Sequence, residues 1–207
     1  YNTNVIADRL QTLCFLIPQM TIRFIDHRVD PESKPVDFHS PRGVAELVER
    51  LSIGAKQITE IIQWTGGLGE CHVDIAFRYT LDRSVHILSY VNTRHTFSGG
   101  THVSGLLKGI SKSIRKTARR LNPERTDANG LSSKKFARGL IAAVSVHLPN
   151  PTLWGPTRSF LYDPLMERAV ENKVAEHLQT YFEDHKAAVG SIIWLANGYY
   201  FSGNSQF

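Results

Sequence analysis

The sequence predicts an α+β fold, or a split βαβ sandwich, in which helices cover one face of a small mixed sheet. Helical and strand-like segments follow one another along the 207 residues in the order helix, strand, helix, hairpin, helix, strand, helix. Interspersed elements of both kinds are typical of such layered domains. The hydrophobic share of 42% is sufficient for a real core in one large or two small domains.

Three predicted elements precede the β-rich region of the chain. Apolar side chains recur near helical spacing in residues 4–16, which indicates a helix, and they alternate with polar ones in residues 20–28, which indicates a strand. A second helix is predicted for residues 40–51, because Ser40 can serve as its N-cap and Pro41 suits its first position.

The clearest strand pattern lies in residues 70–92. Leu81, Asp82 and Arg83 offer a turn between two strand-like halves of this segment, so we expect a β-hairpin. The alternating side chains that define its first strand are Cys71, Val73, Ile75, Phe77 and Tyr79.

The second half of the chain predicts a buried strand and a long helix. Residues 140–151 are rich in apolar and β-branched side chains and end in prolines, as a buried strand does. Residues 163–185 open with Asp163 as a cap and Pro164 in the first turn, which indicates a helix. Residues 123–133 have the composition of a loop. The inward side chains of the helix are expected to be Leu165, Ala169, Val174, Leu178 and Phe182.

The segment 97–122 carries six Lys or Arg side chains and no acidic one, in a chain of net charge +5. It predicts a helix with one buried stripe, formed by Val103, Leu106, Leu107, Ile110, Ile114, Ala118 and Leu121. Four basic side chains are expected to line up on the opposite face: Lys108, Lys112, Arg115 and Arg119. That face is either an ordinary solvated helix surface or a nucleic-acid-binding surface, and the absence of acidic residues favours the second.

His102 follows a glycine pair and raises the question of catalysis. We recognise no Ser, Cys or Asp at a catalytic spacing from it, so we expect a structural, hydrogen-bonded histidine at the helix start. Gly99 and Gly100 most simply supply a tight strand-to-helix turn, because a lone glycine pair is weak evidence for phosphate binding.

Cysteine usage and hydropathy exclude several classes of protein. Cys14 and Cys71 are far apart and belong to no metal-binding motif, so we predict neither a disulfide framework nor a metal site. The chain has no leader pattern and no apolar run of about 18 residues, so we expect no membrane span and a reducing, cytoplasmic location. A standalone small-molecule enzyme is disfavoured, because no nucleophile–base pair is recognisable. The start at Tyr1 rather than Met indicates a piece of a longer protein.

Four blocks of sequence, taken in order, carry a resemblance to a known family. The blocks are residues 4–28, 88–106, 139–151 and 155–161. Together with the motif Gly99-Gly100-Thr101-His102 after a strand end, they resemble the transducer domain of the gyrase B family, which includes the ATPase subunits of DNA gyrase and topoisomerase IV. The resemblance covers about residues 1–186, which we take as one transducer domain. Residues 187–207 contain no charged residue and are expected to form an atypical tail.

The resemblance implies a two-layer, ribosomal-protein-like α+β fold with a left-handed βαβ crossover. It also implies that an ATPase domain precedes this chain and that a metal-binding cleavage domain follows it, so that ATP and Mg²⁺ are held mainly outside these residues. The expected function is to couple ATP hydrolysis to DNA strand passage in an ATP-dependent type II topoisomerase, with the isolated chain inactive. The expected partners are duplex DNA, the cleavage subunit and a second copy of the parent subunit.

The resemblance assigns candidate residues to two sites. The basic side chains Lys108, Lys112, Arg115 and Arg119 would line a cavity for duplex DNA and contact phosphates without reading sequence. The loop at 154–160 would sense the γ-phosphate of ATP, through a Gln-Thr-Lys motif that stands here as Pro156-Thr157-Arg158. Thr157 and Arg158 are therefore the nucleotide-binding candidates, and Arg158 is the candidate phosphate sensor.

Two departures from the family pattern keep a second hypothesis open. The Gln amide is lost at Pro156, and Arg138 stands where the family usually has a glutamate. Both changes would also suit a divergent, non-catalytic paralogue that serves as a DNA-binding or protein-interaction domain.

Overall fold

The computed structural model describes residues 2–28, 34–122, 128 and 130–198. Its helices are α1 (Thr3–Leu16), α2 (Val44–Leu51), α3 (Thr101–Leu121), α4 (Pro164–Asp184) and α5 (Lys186–Asn197), and a 3-10 turn spans Lys135–Ala137. Its strands are β1 (Ile22–Phe24), β2 (Val36–Phe38), β3 (Ile62–Leu68), β4 (Cys71–Tyr79), β5 (His86–Val91), β6 (Arg94–His95), β7 (Leu140–His147), β8 (Leu153–Trp154) and β9 (Phe160–Leu161). Most of the predicted loop at 123–133 and the end of the predicted tail, residues 199–207, lie outside the described residues.

Five strands form a mixed sheet in the order β3-β4-β7-β5-β6. β4 is antiparallel to its neighbours β3 and β7, whereas β5 runs parallel to β7. The chain passes from β5 to β7 through β6 and α3, so these adjacent parallel strands are joined by a helical crossover. The α+β class predicted from the sequence is confirmed.

The predicted hairpin at residues 70–92 is wrong. Strands β4 and β5 form inside this segment, but β7 lies between them. The hairpin partner of β4 is β3, with Leu68 opposite Cys71. Gly69 has a φ of 65°, the left-handed conformation that favours glycine in a two-residue turn. Local alternation identified the strands, but their pairing depends on a strand much later in the chain.

Helices cover both faces of the sheet, so the predicted single covered face, and with it the two-layer arrangement, is wrong. Helices α3, α4 and α5 pack over one face, where Ile75 and Val144 are buried. Helices α1 and α2 contribute to a second core on the other face, which includes Ala76 and Ala143. A strand that is covered on both faces carries a continuous apolar run, which is what residues 140–146 show apart from Ser145.

Helix α2 begins later than the sequence indicated. Its N-cap position is Gly43, with a φ of 57°, so Ser40 and Pro41 precede the helix and do not cap it. A Cβ at position 43 would come within 2.7 Å of Pro18 Cγ. Close packing against the turn after α1 therefore requires glycine at this point.

The long helices form where the sequence predicts them, but some of the residues predicted to face inward are not fully buried. In α3 the buried stripe includes Leu106, Ile110, Ile114 and Ala118 as expected, but Leu121 is 47% exposed. In α4 the Asp163 side chain accepts hydrogen bonds from the backbone N–H groups of residues 165 and 166, which confirms the predicted cap. Leu165, predicted to face inward, is 78% exposed, and Ala169 is only partly buried, because the buried row of α4 runs through Met166, Val170, Val174, Leu178 and Phe182.

Helices α3 and α4 pack closely along a shared seam. A Cβ at Gly105 or Gly109 would come within 2.6 or 2.7 Å of a backbone carbonyl oxygen of α4. The missing side chains allow the two backbones to approach. Polar pairs run beside the seam: Lys108–Glu167, Lys112–Glu171, Lys116–Gln179 and Arg120–Glu183. Because the partner numbers rise together, the two helices are parallel.

Helix α5 continues the packed fold beyond the boundary predicted at residue 186. Val189, Ile192 and Leu195 are buried in the same core as α3 and α4. The Arg138 guanidinium donates to the carbonyl of Ala196 at 3.3 Å, near the helix C-terminus, where a positive charge is favourable. The part of the predicted tail up to residue 198 is thus an apolar core helix, and its lack of charge follows from its burial.

Candidate functional site

The predicted phosphate sensor, Arg158, closes an exposed turn between β8 and β9. Its backbone N–H donates to the carbonyl of Gly155 at 3.0 Å. Arg158 has a φ of 49°, a left-handed conformation that a residue with a side chain adopts at a cost of about 1 to 2 kcal/mol. A strained position of this kind persists where surrounding contacts over-determine it, and such positions cluster at functional sites.

Three contacts tie this turn to β6 and to the segment between β6 and α3. The Arg94 guanidinium donates through Nη2 to the carbonyl of Thr157 at 2.9 Å. The backbone N–H of Ser98 donates to the carbonyl of Ser159 at 3.1 Å, and the two serine hydroxyls lie 2.9 Å apart. The turn is therefore held from the sheet edge on one side and from the start of α3 on the other.

The glycine pair before α3 packs directly against β9. A Cβ at Gly100 would come within 2.6 Å of the carbonyl oxygen of Leu161, and the Leu161 N–H donates to the carbonyl of Gly99 at 3.2 Å. The Thr101 hydroxyl accepts from the backbone N–H of Asp163 at 2.9 Å. The glycines thus permit close backbone packing at a strand-to-helix turn, as predicted, and this packing links the turn to both long helices.

A shallow apolar groove of about 580 Å³ lies beside the turn. Trp154 stacks on Tyr162 with ring centroids 4.5 Å apart, yet 54% of Trp154 remains exposed. Pro156 and Phe160 also line the groove. An exposed aromatic pair next to an arginine is a surface that planar or apolar groups can contact.

Two of the four basic residues predicted to face DNA have acidic partners on α4. Lys108 binds Glu167, and the hydrogen bond to this carboxylate raises the pKa of Lys108. The ammonium of Lys112 lies 3.4 Å from a carboxylate oxygen of Glu171. The two lysine side chains remain 49% and 54% exposed. They can still reach solvent, but their charge is locally compensated.

Arg115 has different partners from these lysines. Its Nη2 donates to the carbonyl of Leu131 at 2.5 Å, and its guanidinium carbon lies 5.3 Å from the centroid of the Phe136 ring. Arg119 is exposed. The four residues predicted to form one basic face thus have different surroundings. Lys108 and Lys112 pair with α4 in one row with Lys116 and Arg120, whereas Arg115 turns toward residues 131–136.

His102, the second residue of α3, is completely buried. Its Nε2 lies 3.5 Å from the hydroxyl oxygen of Thr96, and its Nδ1 has no hydrogen-bond partner in the described part of the protein. Burial lowers the pKa of His102 to about 4, so the ring is neutral near pH 7. This position agrees with the structural role expected from the sequence.

A second cleft, of about 560 Å³, lies between the start of α2 and the sheet. In it His72 Nε2 lies 3.2 Å from a carboxylate oxygen of Asp74, and His147 is the cross-strand neighbour of His72. Within residues 2–28, 34–122, 128 and 130–198, no group of three or more His, Cys, Asp or Glu side chains is placed to hold a metal ion. The cysteines Cys14 and Cys71 are free thiols.

None of the helices in the described part of the chain has both the length and the apolar character needed to cross a membrane.

Sequence reasoning missed Arg94 and Ser98 as parts of the site. Their partners lie 63 and 61 residues further along the chain, so no short motif joins them. The signal that could have drawn attention to them is their position just before the glycine pair that packs against the turn.

Comparison with protein families matches residues 43–198 to the family described as DNA gyrase B. The chloroplastic/mitochondrial gyrase B protein of Oryza sativa subsp. japonica is 28% identical over 93% of this chain and 27% of its own length. The corresponding B chain of DNA topoisomerase 4 from Staphylococcus aureus (strain MW2) is 32% identical over 89% of this chain and 28% of its own length. The chain spans about a quarter of the length of these curated relatives.

Solved structures share the fold. The 43K ATPase domain of Thermus thermophilus gyrase B, crystallised with an aminocoumarin, has a TM-score of 0.79 at 27% identity, over 95% of this chain and 52% of that one. The ATP-binding domain of Francisella tularensis topoisomerase IV has the same TM-score of 0.79 and the same coverage at 20% identity, which bears on the fold alone. By the family match over residues 43–198, this chain belongs to the DNA gyrase B family.

Proposed function

We propose that this chain is the transducer part of the ATPase subunit of a type II topoisomerase, where it couples ATP hydrolysis to DNA strand passage. Membership of the gyrase B family supports the proposal, as does the likeness to about half of a gyrase B ATPase-domain structure. The proposal includes the ribosomal-protein-like topology, with the crossover from β5 to β7 left-handed. The transducer would span residues 1–186 together with α5.

The observation that carries this proposal is the presentation of Arg158 on a strained and tethered turn. A guanidinium is permanently charged and donates two parallel hydrogen bonds to a phosphate. In the proposed mechanism it binds the γ-phosphate of ATP held by the rest of the subunit, and it loses this partner when the phosphate leaves. The contacts of Ser98, Ser159 and Leu161 would transmit the change to α3 and α4 as one rigid unit.

Thr157 is uncharged, and in this proposal it contributes to the nucleotide site through its backbone. Its carbonyl accepts from Arg94, and its hydroxyl donates to the hydroxyl of Ser159 at 2.9 Å. Mg²⁺ would be held mainly outside this chain, as the resemblance to the family implies. No step proposed for this chain involves the metal.

The proposed macromolecular partners are duplex DNA, the cleavage subunit and a second copy of the parent subunit. Lys108, Lys112, Arg115 and Arg119 would contact DNA phosphates, with the two lysines exchanging their acidic partners on α4 for phosphate oxygens. Such contacts position a duplex without reading its sequence.

Replacement of Arg158 by Ala in the full subunit tests the sensor. A charge-assisted hydrogen bond contributes about 1.5 to 3 kcal/mol, so turnover should fall by roughly 10- to 100-fold if the bond forms mainly in the transition state. ATP affinity should change less, because most nucleotide contacts belong to the rest of the subunit. Arg23→Ala is the matched control, since Arg23 is an exposed arginine paired with Asp37 on the small β1–β2 sheet. Unchanged turnover and affinity in Arg158→Ala would contradict the sensor.

A non-catalytic paralogue that acts as a DNA-binding or protein-interaction domain is the second candidate. The exposed stack of Trp154 on Tyr162 favours it, because an apolar groove lies where the family has a polar motif. The two candidates differ in the measurement above, since only the sensor requires the Arg158 charge for turnover. Restoring the family motif with Pro156→Gln and Arg158→Lys should raise turnover only in the first case.

A further inference from the structure

We propose that Arg94 is a positioning residue for Arg158. From β6 it donates a hydrogen bond that holds the turn in place, which Pro156 cannot do because it has no polar side-chain group. The inference rests on the proposed function of Arg158 as phosphate sensor and adds a residue to that site. Arg94 has no place in the three-residue motif, and it is one of the two residues of the edge strand β6.

The hydrogen bond from Arg94 acts on the peptide unit that determines the orientation of Arg158. The carbonyl of Thr157 and the backbone nitrogen of Arg158 belong to one planar peptide. A donor at 2.9 Å from that carbonyl oxygen therefore orients the plane from which the positive φ of Arg158 is measured. At the opposite edge of this peptide, the Arg158 N–H donates to the carbonyl of Gly155 at 3.0 Å. Together the two bonds hold the peptide at both its oxygen and its nitrogen.

The base from which Arg94 reaches is itself held in place. Arg94 and His95 pair with Val91 and Tyr90 of β5. The His95 ring lies 5.0 Å from the Tyr90 ring and 4.1 Å from the Phe97 ring, measured between centroids. The backbone from which Arg94 reaches is therefore fixed, so only its side-chain torsions have to be ordered when the guanidinium binds the turn.

Pro156 explains why a contact from another strand is needed. Proline has no backbone N–H, and its ring carries no polar group. The loop thus lacks the side-chain amide of the family motif at the position two residues before Arg158. Arg94 provides a donor to the next carbonyl along the chain, that of Thr157.

Loss of the Arg94 side chain should leave the fold intact, because separate bonds still join Ser98 to Ser159. In the full subunit, Arg94→Ala should lower kcat by about tenfold with a smaller change in KM, since misplacement of Arg158 weakens a transition-state contact. Arg94→Lys should recover part of the loss, because an ammonium can also donate to one carbonyl. The double variant Arg94→Ala with Arg158→Ala should be no slower than Arg158→Ala alone, because residues that act through one another are not additive.

Hydrogen exchange of the peptide 154–162 in the same subunit gives a readout independent of turnover. Exchange should speed up in Arg94→Ala and remain unchanged in the control Arg23→Ala. If Arg158→Ala lowers turnover and Arg94→Ala does not, the positioning role is wrong while the sensor stands. If the two losses multiply in the double variant, Arg94 acts independently of Arg158 and the inference is overturned. If Arg158→Ala is silent, the proposed function fails, and the inference fails with it.

Discussion

Two residues, Arg158 and His102, adopt states that their side chains disfavour. Arg158 takes a left-handed backbone conformation on an exposed turn, and contacts from Arg94 and Ser98 hold that turn in place. His102 is buried without a partner for Nδ1 in the described part of the protein. The first state would present a charge for the proposed binding of phosphate, whereas the second keeps an imidazole neutral inside the fold.

The buried state of His102 predicts a loss of stability in acid. Burial lowers its pKa from 6.5 to about 4, so between these values the unfolded chain takes up a proton that the folded chain does not. The free energy of unfolding should therefore fall as the pH falls through this window, by at most about 1.4 kcal/mol per pH unit from this residue, and the loss should be absent above it.

Urea unfolding across this window measures the effect. His102→Gln should show a shallower pH dependence than the unchanged chain, whatever its absolute stability. His177→Gln, which alters an exposed histidine of α4, should keep the original dependence. Parallel pH profiles for His102→Gln and the unchanged chain would show that His102 does not titrate as its burial requires.

At the scale of elements, the α3–α4 pair decides what the basic residues of α3 can do. Gly105 and Gly109 bring the two backbones together, and this approach places Lys108 and Lys112 beside carboxylates of α4. Exposed ion pairs of this kind contribute only about 0 to 1 kcal/mol each, so close packing and not charge holds the helices together. The lysine charges therefore remain available to a stronger anionic partner.

Removal of the acidic partners should strengthen DNA binding. In the purified chain, Glu167→Gln with Glu171→Gln should increase affinity for duplex DNA of any sequence. The slope of log affinity against log salt should steepen by up to about 1.8, because each of two released lysines can neutralise one phosphate and contributes about 0.9.

Two further variants make this experiment specific. Adding Lys108→Ala and Lys112→Ala to the double variant should cancel the gain. The control is Glu49→Gln in α2, which removes the acidic partner of Arg42. It changes the net charge by the same amount as each of the other Glu→Gln substitutions, but it should leave the slope unchanged. A slope that does not respond to any of these changes would assign the basic residues of α3 to helix pairing alone.

At the scale of the whole molecule, a hydrogen bond joins Arg138 to the end of α5. Arg138 immediately precedes the glycine before β7, and the sequence predicts an atypical tail after residue 186. In the structure the Arg138 guanidinium donates to the carbonyl of Ala196 near the end of α5, and α5 buries its apolar face in the main core. A cationic residue suits that position because a helix C-terminus carries partial negative charge.

Truncation of a buried side chain in α5 should destabilise the entire domain. Ile192→Ala should lower the free energy of unfolding by about 2 to 5 kcal/mol, because Ile192 is completely buried in the main core. Ile53→Ala, at an exposed position after α2, should change it by less than about 0.5 kcal/mol. Denaturant unfolding monitored by circular dichroism compares the two variants. Equal, small effects would mean that α5 is dispensable and that the domain does end near residue 186.

The sequence by itself determined the family and several elements, among them α3, α4, β4 and β7. The periodic burial in α3, the Asp163 cap of α4 and the apolar run of β7 depend on residues within a few positions of one another, so they can be recognised locally. The motif from Gly99 to His102 indicated the gyrase B family, and Pro156-Thr157-Arg158 marked the turn.

Only the tertiary structure decided which elements and side chains meet. It placed β7 between β4 and β5, put helices on both faces of the sheet, and gave Lys108 and Arg94 partners that lie 59 and 63 residues further along the chain. The physical reason is that strand pairing and polar contacts depend on how distant segments pack around a common core, whereas capping and hydrophobic periodicity depend on nearest neighbours in the chain.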